Sequence, residues 1–274
     1  MHSSAARIRI PKGHWAERKT APPVTMDTLL KEFEQGAAFQ KSLQSTAPPL
    51  PGYDLFTFSR AAHLLTGDYF DYFPLADGRV GLLVADASGK GIPGALLAMA
   101  FRSVVKNLPR DRYERPCLFM KTVNSLLHRV IRRGLFVSAI YGVLDPARHE
   151  ITVSNAGHLP MLVHHVDRGI VAGYTRNAPV LGVLPASQYE PKIAEITVRL
   201  SPRDRLLMFT DGVNEAKAPT QADFALRHLN RRMVRDRAVK SKELIANIVD
   251  ELDVHRSGVE QSDDITIIAA QRMA

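Results

Sequence analysis

The sequence has few of the features that mark disulfide-stabilised or membrane-spanning proteins. Its 274 residues contain a single cysteine, Cys117, which excludes an internal disulfide framework and a cysteine-based zinc cluster. No window of about 18 uncharged apolar residues exists, and the N-terminal sequence lacks the apolar core of a secretory signal. We therefore expect a cytoplasmic protein with no membrane partner.

Acidic residues are scarce relative to basic ones. Lysine and arginine number 36 against 28 aspartates and glutamates, which gives a formal net charge of +8. Such an excess is a reason to consider a basic nucleic-acid-binding protein. Aromatic residues make up only 7%, however, and no basic run is interleaved with aromatics that could stack on bases. We expect no nucleic-acid partner, and we interpret the basic stretches 102–133 and 227–242 either as solvated helix faces or as surfaces that steer an acidic partner.

Hydrophobic patterning predicts strands interrupted by pairs of helices. Strand-like runs are found at 68–76, 79–87, 135–145, 150–156, 159–165, 193–200, 205–210 and 263–271. Helical periodicity is found at 93–108, 116–133, 223–235 and 241–253. Because the links between consecutive strands are short, we expect mainly antiparallel pairing. The paired helices then predict an α+β sandwich with helices over its sheet faces.

The N-terminal part differs in composition from the rest of the chain. Residues 1–25 are basic and contain three prolines, which predicts a flexible leader. Residues 26–46 predict a linker or regulatory helix, in which four apolar residues at 4-3-4 spacing form a candidate coiled-coil seam: Met26, Leu30, Phe33 and Ala37. This helix either packs on its own domain or forms a homodimer through residues 26–45. The main domain is expected at 50–272.

Asp77 and Gly78 predict a two-residue hairpin turn between the first two of these strands. With that turn, Asp86 lies opposite Tyr69 and Asp68 lies opposite Ala87. Strict alternation then places Asp71, rather than Asp68, on the face of Asp86. A bulge or a twist at the strand end reverses this choice, so the pattern leaves both acids open.

Acidic residues occur where predicted strands begin or end. Asp86 and Asp211 each end an apolar strand and enter a glycine-containing turn, whereas Asp263 and Asp264 begin the last strand. Acids at the ends of buried strands are costly unless they are paired, hydrogen-bonded or bound to a metal. Any one of them alone is more commonly a turn or cap residue. Taken together, and without cysteine or paired histidines, they favour a hard cation such as Mg²⁺ or Mn²⁺.

Six motifs extend this pattern across the chain: GDYFDYF (67–73), VADASGKGIPGALLAMA (84–100), NAGHLP (155–160), LGVLP (181–185), FTDGVNEA (209–216) and SDDIT (262–266). In this order they resemble the RsbU/SpoIIE-like branch of the PPM metal-dependent serine/threonine phosphatases, over about residues 50–272. The resemblance implies a four-layer αββα sandwich of two mainly antiparallel sheets, with two Mn²⁺ or Mg²⁺ ions in a cleft at one edge.

The resemblance also implies roles for individual residues. Asp86 matches the aspartate that bridges both metals, and the carbonyl group of Ala87 also binds one of them. Asp211 and Asp264 match the ligands of one ion, and Asp68 matches the ligand of the other, so the resemblance favours Asp68 over Asp71. Two further acids are candidates for an accessory role: Asp71 and Asp263. A metal-bridging hydroxide then attacks the phosphate, and no side-chain nucleophile is expected.

Two glycine-containing motifs have alternative interpretations. Gly89, Lys90 and Gly91 either position Asp86 or contact phosphate; they do not form a Walker A loop, because its spacing is absent. A second group is interpreted as a structural turn, with His158 as a less favoured general acid: Asn155, Gly157 and His158. Gly94 departs from the resemblance, because alanine is common at that position.

The function implied is hydrolysis of phosphoserine or phosphothreonine in a protein. The resemblance names the substrate class as a phosphorylated STAS-type antagonist of an anti-sigma factor in bacterial partner switching. Regulation is expected through a separate protein, through the homodimer, or through neither of them. The alternative is a catalytically silent binding module that keeps the fold, which the complete acid set disfavours.

Overall fold

A computed structural model describes residues 25–132, 134–176 and 178–274. The predicted leader therefore lies outside the described residues except for Thr25, which caps the first helix by accepting a hydrogen bond from the Thr28 amide at 3.2 Å. Within these ranges the helices are α1 Met26–Ser42, α2 Ile92–Lys106, α3 Pro116–Val130, α4 Ala186–Tyr189, α5 Asp211–Asn214, α6 Ala225–Arg235 and α7 Ser241–Arg256. The strands are β1 Tyr53–Arg60, β2 Asp68–Pro74, β3 Val80–Ala87, β4 Val137–Asp145, β5 Glu150–Ala156, β6 Met161–His165, β7 Ile170–Tyr174, β8 Glu195–Arg199, β9 Arg205–Phe209 and β10 Ile265–Arg272.

The strands form two five-stranded sheets in which every pairing is antiparallel. The first sheet has the order β2-β3-β4-β5-β8, and the second has the order β1-β10-β9-β6-β7. Helices α2 and α3 cover the outer face of the first sheet, whereas α5, α6 and α7 cover that of the second. The predicted four-layer αββα sandwich is confirmed.

Both faces of the central strands are buried, which explains their nearly continuous hydrophobic sequences. In β3, Leu82 and Val84 pack between the two sheets against residues of β6, β9 and β10. Leu83 and Ala85 alternate with them and pack under α2 and α3. The same alternation places alternate residues of β2 on the two faces of the first sheet.

The β2–β3 hairpin differs by one residue from the predicted register. Its loop has three residues, 76–78, and is closed by hydrogen bonds from the Leu75 amide to the Arg79 carbonyl (2.9 Å) and from the Gly78 amide to the Leu75 carbonyl (3.2 Å). Gly78 has φ +83°, the left-handed conformation that ends a three-residue hairpin loop of this kind. Asp68 consequently lies directly opposite Asp86, and the two share a face.

Helix α1 lies outside the two helix layers and has no buried residue. Its seam residues Met26 and Leu30 are 79% and 48% exposed. Within the described part of the chain, no helix is both long enough and apolar enough to cross a membrane.

Candidate active site

The predicted acids meet at one edge of the sandwich, where β2 and β10 begin and β3 and β9 end. Asp68 and Asp86 form a directly opposed pair in the first sheet. Asp211 begins α5 immediately after β9, and Asp263 and Asp264 precede β10 in the second sheet. We call these five residues the acid cluster. The sandwich topology thus brings together acids that are almost 200 residues apart in the chain.

Burial and mutual repulsion disfavour ionisation of this cluster. Burial is the main cause that raises the pKa of Asp68 well above its usual range, and the charge of Asp86 adds to it. Burial also raises the pKa of Asp86 to about 7, with further contributions from Asp211, Asp263 and Asp264. The pKa of Asp211 is raised by burial and by the nearby Asp263. The cluster therefore holds more negative charge than its surroundings stabilise.

Asp264 is engaged by backbone amides. Its Oδ1 accepts a hydrogen bond from the Ala62 amide and its Oδ2 accepts one from the Gly67 amide, both at 2.7 Å. The carbonyl group of Gly67 in turn accepts from the Ala87 amide at 3.1 Å. Asp264 therefore fixes the start of β2 beside the end of β3. This contact differs from the metal-ligand role that the resemblance implies for Asp264.

Asp263 faces Lys90 and is partly exposed to solvent. Its Oδ2 lies 3.0 Å from Nζ of Lys90, and its side chain is 36% exposed. Lys90 also donates to the Ser262 carbonyl at 2.9 Å. This lysine therefore joins the loop after β3 to the loop before β10, across the acid cluster.

Asp71 does not belong to the acid cluster, contrary to its expected accessory role. It lies three residues after Asp68, so the alternation of β2 places it on the opposite face, where it is 1% exposed. There it accepts hydrogen bonds from the hydroxyl groups of Ser45 and Tyr69, and it forms an ion pair with Lys106 of α2 at 2.5 Å. Asp71 thus connects the segment after α1 and the end of α2 to β2.

The motif around His158 connects the two sheets beside the acid cluster. Asn155 accepts from the His158 amide at 2.8 Å and donates to two carbonyl groups, while Gly157 has φ +65°. The His158 ring accepts from the Ser138 hydroxyl at 2.7 Å through Nδ1 and donates to the Phe209 carbonyl at 3.1 Å through Nε2. Burial lowers the pKa of His158 to about 4, so the ring is neutral at pH 7. These contacts are those of a structural turn.

Two residues beside the acid cluster have no clear signal in the sequence. The Thr210 hydroxyl donates to Asp68 Oδ2 at 2.7 Å. The Gln40 side chain of α1 donates to the Thr66 carbonyl at 2.7 Å and accepts from the Thr66 amide at 3.0 Å. Thr210 precedes a conspicuous Asp-Gly pair, which offers a weak hint, but nothing in the α1 sequence distinguishes Gln40.

The oxygen-rich donor set is the kind that Mg²⁺ or Mn²⁺ prefers. In their present rotamers, no three of the described histidine, cysteine, aspartate or glutamate side chains converge closely enough to hold an ion. The raised pKa values of Asp68 and Asp86 nevertheless indicate a site whose charge a cation would balance. In donor chemistry and in charge, the residues present therefore fit a divalent cation.

The loop after β3 packs closely on the first turn of α2. Gly89 and Gly91 have φ values of +97° and +65°, and a Cβ added at Gly94 would lie 2.0 Å from the Gly89 carbonyl oxygen. The loop that carries Lys90 therefore keeps this position only if residue 94 has no side chain. This accounts for glycine at a position where the resemblance favours alanine.

We expect Gly94→Ala to displace this loop, to lower turnover at least about tenfold and to cost about 1–3 kcal/mol of stability, as overpacking commonly does. Activity against a phosphate ester and the midpoint of thermal unfolding are the measurements. Gly36→Ala in α1 is the matched control, because its added Cβ would meet Leu65 at an ordinary 3.5 Å. Wild-type turnover and unfolding in Gly94→Ala would show that the loop accepts the methyl group without moving.

Comparison with known proteins relates this chain to a defined group. The chain is 26% identical over 246 residues to the phosphoserine phosphatase RsbU of Bacillus subtilis, covering 89% of this chain and 71% of RsbU. It is 26% identical over 268 residues to protein IcfG of Synechocystis, covering 88% of this chain. It spans 41% of the length of IcfG, and 46% of the length of phosphoserine phosphatase RsbP of B. subtilis.

Solved structures show the same fold. The SiaA-PP2C domain of Pseudomonas aeruginosa superimposes with a TM-score of 0.75 at 19% identity, covering 90% of this chain and 97% of that domain. The sequence profile of the stage II sporulation protein E (SpoIIE) family matches residues 76–273, well over half of the chain. The protein belongs to the SpoIIE family, in the RsbU/SpoIIE-like branch of the PPM phosphatases.

Proposed function

We propose that the protein is a metal-dependent phosphatase that hydrolyses phosphoserine or phosphothreonine in a protein substrate. The acid cluster carries this proposal, because burial and the mutual repulsion of its carboxylates raise the pKa values of Asp68, Asp86 and Asp211. Such a cluster is costly to fold and is suited to divalent cations. Membership of the SpoIIE family supports the same activity.

We propose the following ligands for the cations: Asp68, Asp86, Asp211, Asp263 and the carbonyl group of Ala87. Asp263 replaces Asp264 in this set, because both oxygens of Asp264 already accept from backbone amides. Asp264 is instead assigned the positioning of Gly67 and hence of Asp68. Bound divalent cations would supply an activated water and neutralise charge on the phosphate.

Other residues of the chain hold this arrangement in place. The Thr210 hydroxyl orients Asp68, and His158 joins the end of β9 to Ser138, which lies opposite Asp86. Lys90 provides a positive charge beside the cluster, where the phosphate of a substrate is expected. Cys117 is distant from this chemistry, since its thiol donates to the Ile193 carbonyl at 3.5 Å on the helix-covered face of the first sheet. We therefore assign no side-chain nucleophile.

We propose a phosphorylated STAS-type antagonist of an anti-sigma factor as the physiological substrate. The support is the motif resemblance and the similarity to the phosphoserine phosphatase RsbU. We propose that α1 is a regulatory helix attached to the main domain, because Gln40 contacts Thr66 two residues before Asp68. Its exposed seam at Met26 and Leu30 supports a homodimer through residues 26–45 or the binding of a separate regulatory protein.

Hydrolysis of para-nitrophenyl phosphate with and without Mn²⁺ tests the proposed activity. We expect turnover that requires Mn²⁺, stops on chelation and is lost in Asp86→Ala. A phosphorylated STAS-type protein should be dephosphorylated by the same preparations with the same dependence. If metal-loaded, folded protein binds the phosphoprotein but turns over neither substrate, the chain is the catalytically silent module instead.

A further inference from the structure

A groove of about 690 Å³ lies beside the acid cluster, on the far side of Ser88. We call it the Phe136 groove. One wall is the segment after α3, and the other is the segment that leads into α4. The principal lining residues of the groove are Ile131, Arg132, Phe136, Val183, Leu184 and Gln188. Backbone hydrogen bonds between Val137 and Leu181, at 2.8 and 3.1 Å, join the two walls. The groove is therefore a built feature of the fold.

The Phe136 groove is connected directly to the loop that follows Asp86. The Ser88 amide donates to the Phe136 carbonyl at 2.9 Å, and the Phe136 amide donates to Ser88 Oγ at 3.0 Å. Two residues farther along the chain, Ser138 lies opposite Asp86. Since a strand rises about 3.3 Å per residue, the rim of the groove begins about 7 Å from the cluster.

The groove and its rim expose large apolar side chains to solvent. Phe136 is 38% exposed, Val183 is 47% exposed, and Val130 at the end of α3 is 63% exposed. Clustered apolar exposure next to a polar site is typical of a surface that binds another molecule.

The charges at the groove are positive. Arg129 and Arg132 are both exposed and form no ion pair within the described part of the chain. His128 fixes the opposite wall, because its Nδ1 lies 2.8 Å from the Gly182 carbonyl. A complementary ligand therefore combines an apolar side chain with acidic neighbours.

We propose that the Phe136 groove binds the segment of the phosphoprotein that flanks its phosphorylated residue, through an apolar side chain with acidic neighbours. The inference rests on the proposed phosphatase function. An extended segment advances about 3.3 Å per residue, so the residues about two to four positions from the phosphoserine reach the groove when the phosphate is at the acid cluster. The groove thereby sets a sequence preference that the acid cluster alone does not provide.

Short synthetic phosphoserine peptides test this preference. Two acidic peptides carry leucine and glutamates two to four positions from the phosphoserine, one peptide before it and the other after it. Each has a matched peptide with serine in place of leucine and lysines in place of the glutamates. We expect kcat/KM to favour one acidic peptide at least about tenfold. Arg132→Glu should remove this preference and favour the lysine peptide, while hydrolysis of para-nitrophenyl phosphate stays within about twofold of wild type. Arg231→Glu on α6 is the matched charge-reversal control.

The apolar contribution has its own variant. Val183→Ser should weaken hydrolysis of the leucine peptide, whereas Val254→Ser, at an exposed position of α7, should not. Affinity for fluorescent peptides, measured by polarisation, gives a readout that does not require turnover. If the wild-type protein does not hydrolyse para-nitrophenyl phosphate, the proposed phosphatase function is rejected. The peptide affinities still test whether the groove binds the flanking segment.

The inference is overturned if all peptides bind and react equally, or if Arg132→Glu lowers para-nitrophenyl phosphate and peptide turnover by the same factor. It is also overturned if sedimentation shows that the groove variants dissociate a homodimer without changing peptide preference, because the occupant is then a second copy of the chain.

Discussion

Replacing Asp86 by asparagine is expected to lower metal-dependent turnover about a thousandfold or more. Asp86 stands at the centre of the acid cluster, and its pKa is raised by burial and by three neighbouring aspartates. An amide of the same shape removes one anionic ligand that the proposed cations require. A metal ion contributes several kcal/mol to transition-state stabilisation, and each 1.36 kcal/mol corresponds to a factor of ten.

The same substitution is expected to stabilise the metal-free protein. The folded-state pKa of Asp86 is about 7, against an ordinary value of 3.8, so the folded protein binds this proton more tightly than the unfolded chain. Stability therefore falls as pH rises from about 4 to about 7, and at pH 8 ionised Asp86 destabilises the folded state by up to about 4 kcal/mol. Asparagine carries no charge and avoids this cost.

Urea unfolding with a chelator present, at pH 8 and pH 5, measures this effect. The gain of Asp86→Asn over wild type should be largest at pH 8 and much smaller at pH 5. Asp250→Asn, at an exposed position on α7, is the matched control and should change neither activity nor stability. A less stable Asp86→Asn at pH 8, or one that keeps its turnover, would contradict the assignment of Asp86 to a buried, charge-crowded site.

Hydrophobic periodicity predicted an α+β sandwich from eight strand-like runs, because most strands and long helices bury a continuous set of apolar residues. It did not predict β1 or β7, because β1 has one buried residue, Tyr53, and β7 has none. The hairpin register could not be predicted in the same way. Asp77-Gly78 suits both a two-residue turn and the end of a three-residue loop, and the choice depends on how Leu75 pairs with Arg79. A shift of one residue exchanges the faces of a strand, which is why strict alternation favoured Asp71 and the pattern left both acids open.

The positions of Asp86 and Asp211 were predictable because each ends an apolar strand, whereas only the resemblance favoured Asp68 over Asp71. The partners of these acids were not predictable, because they come from distant parts of the chain. Thr210 contacts Asp68 across 142 residues, and Asp264 holds the Gly67 amide across 197 residues. Sequence spacing alone also does not distinguish two consecutive aspartates, whereas the structure gives Asp263 and Asp264 different surroundings.

Those different surroundings predict that Asp264→Ala lowers the stability of the fold, whereas Asp263→Ala lowers the affinity for Mn²⁺. Asp264→Ala leaves the amides of Ala62 and Gly67 without their charged acceptor, and each such hydrogen bond contributes about 1.5–3 kcal/mol. We expect a loss of about 3 kcal/mol or more in the free energy of unfolding of the metal-free protein. Asp264→Asn retains one acceptor and should lie between wild type and alanine.

Asp263→Ala loses a partly exposed ion pair with Lys90, which is worth less than about 1 kcal/mol, and the local hydrogen bond that Asp263 Oδ1 accepts from the Asp264 amide at 3.0 Å. The metal-free variant should be no less stable than wild type, because the lost contacts are offset by the relief of repulsion between Asp263 and the carboxylates of Asp86 and Asp211. Because the proposed cations lose a carboxylate, Mn²⁺ affinity measured by calorimetry and turnover at fixed Mn²⁺ should both fall, each by about a hundredfold. Lys90→Ala controls for the broken ion pair, since it frees Asp263 without removing the carboxylate and should keep Mn²⁺ affinity.

The two aspartates are thus separated by unfolding in chelator and by Mn²⁺ titration, neither of which depends on the identity of the substrate. If Asp264→Ala loses Mn²⁺ affinity at unchanged metal-free stability while Asp263→Ala binds Mn²⁺ normally, Asp264 is the ligand that the resemblance implies. In that case its carboxylate must leave the amides of Ala62 and Gly67 when the cation binds. If Asp264→Ala instead loses stability and Asp263→Ala loses Mn²⁺ affinity, Asp264 positions the backbone and Asp263 is the metal ligand.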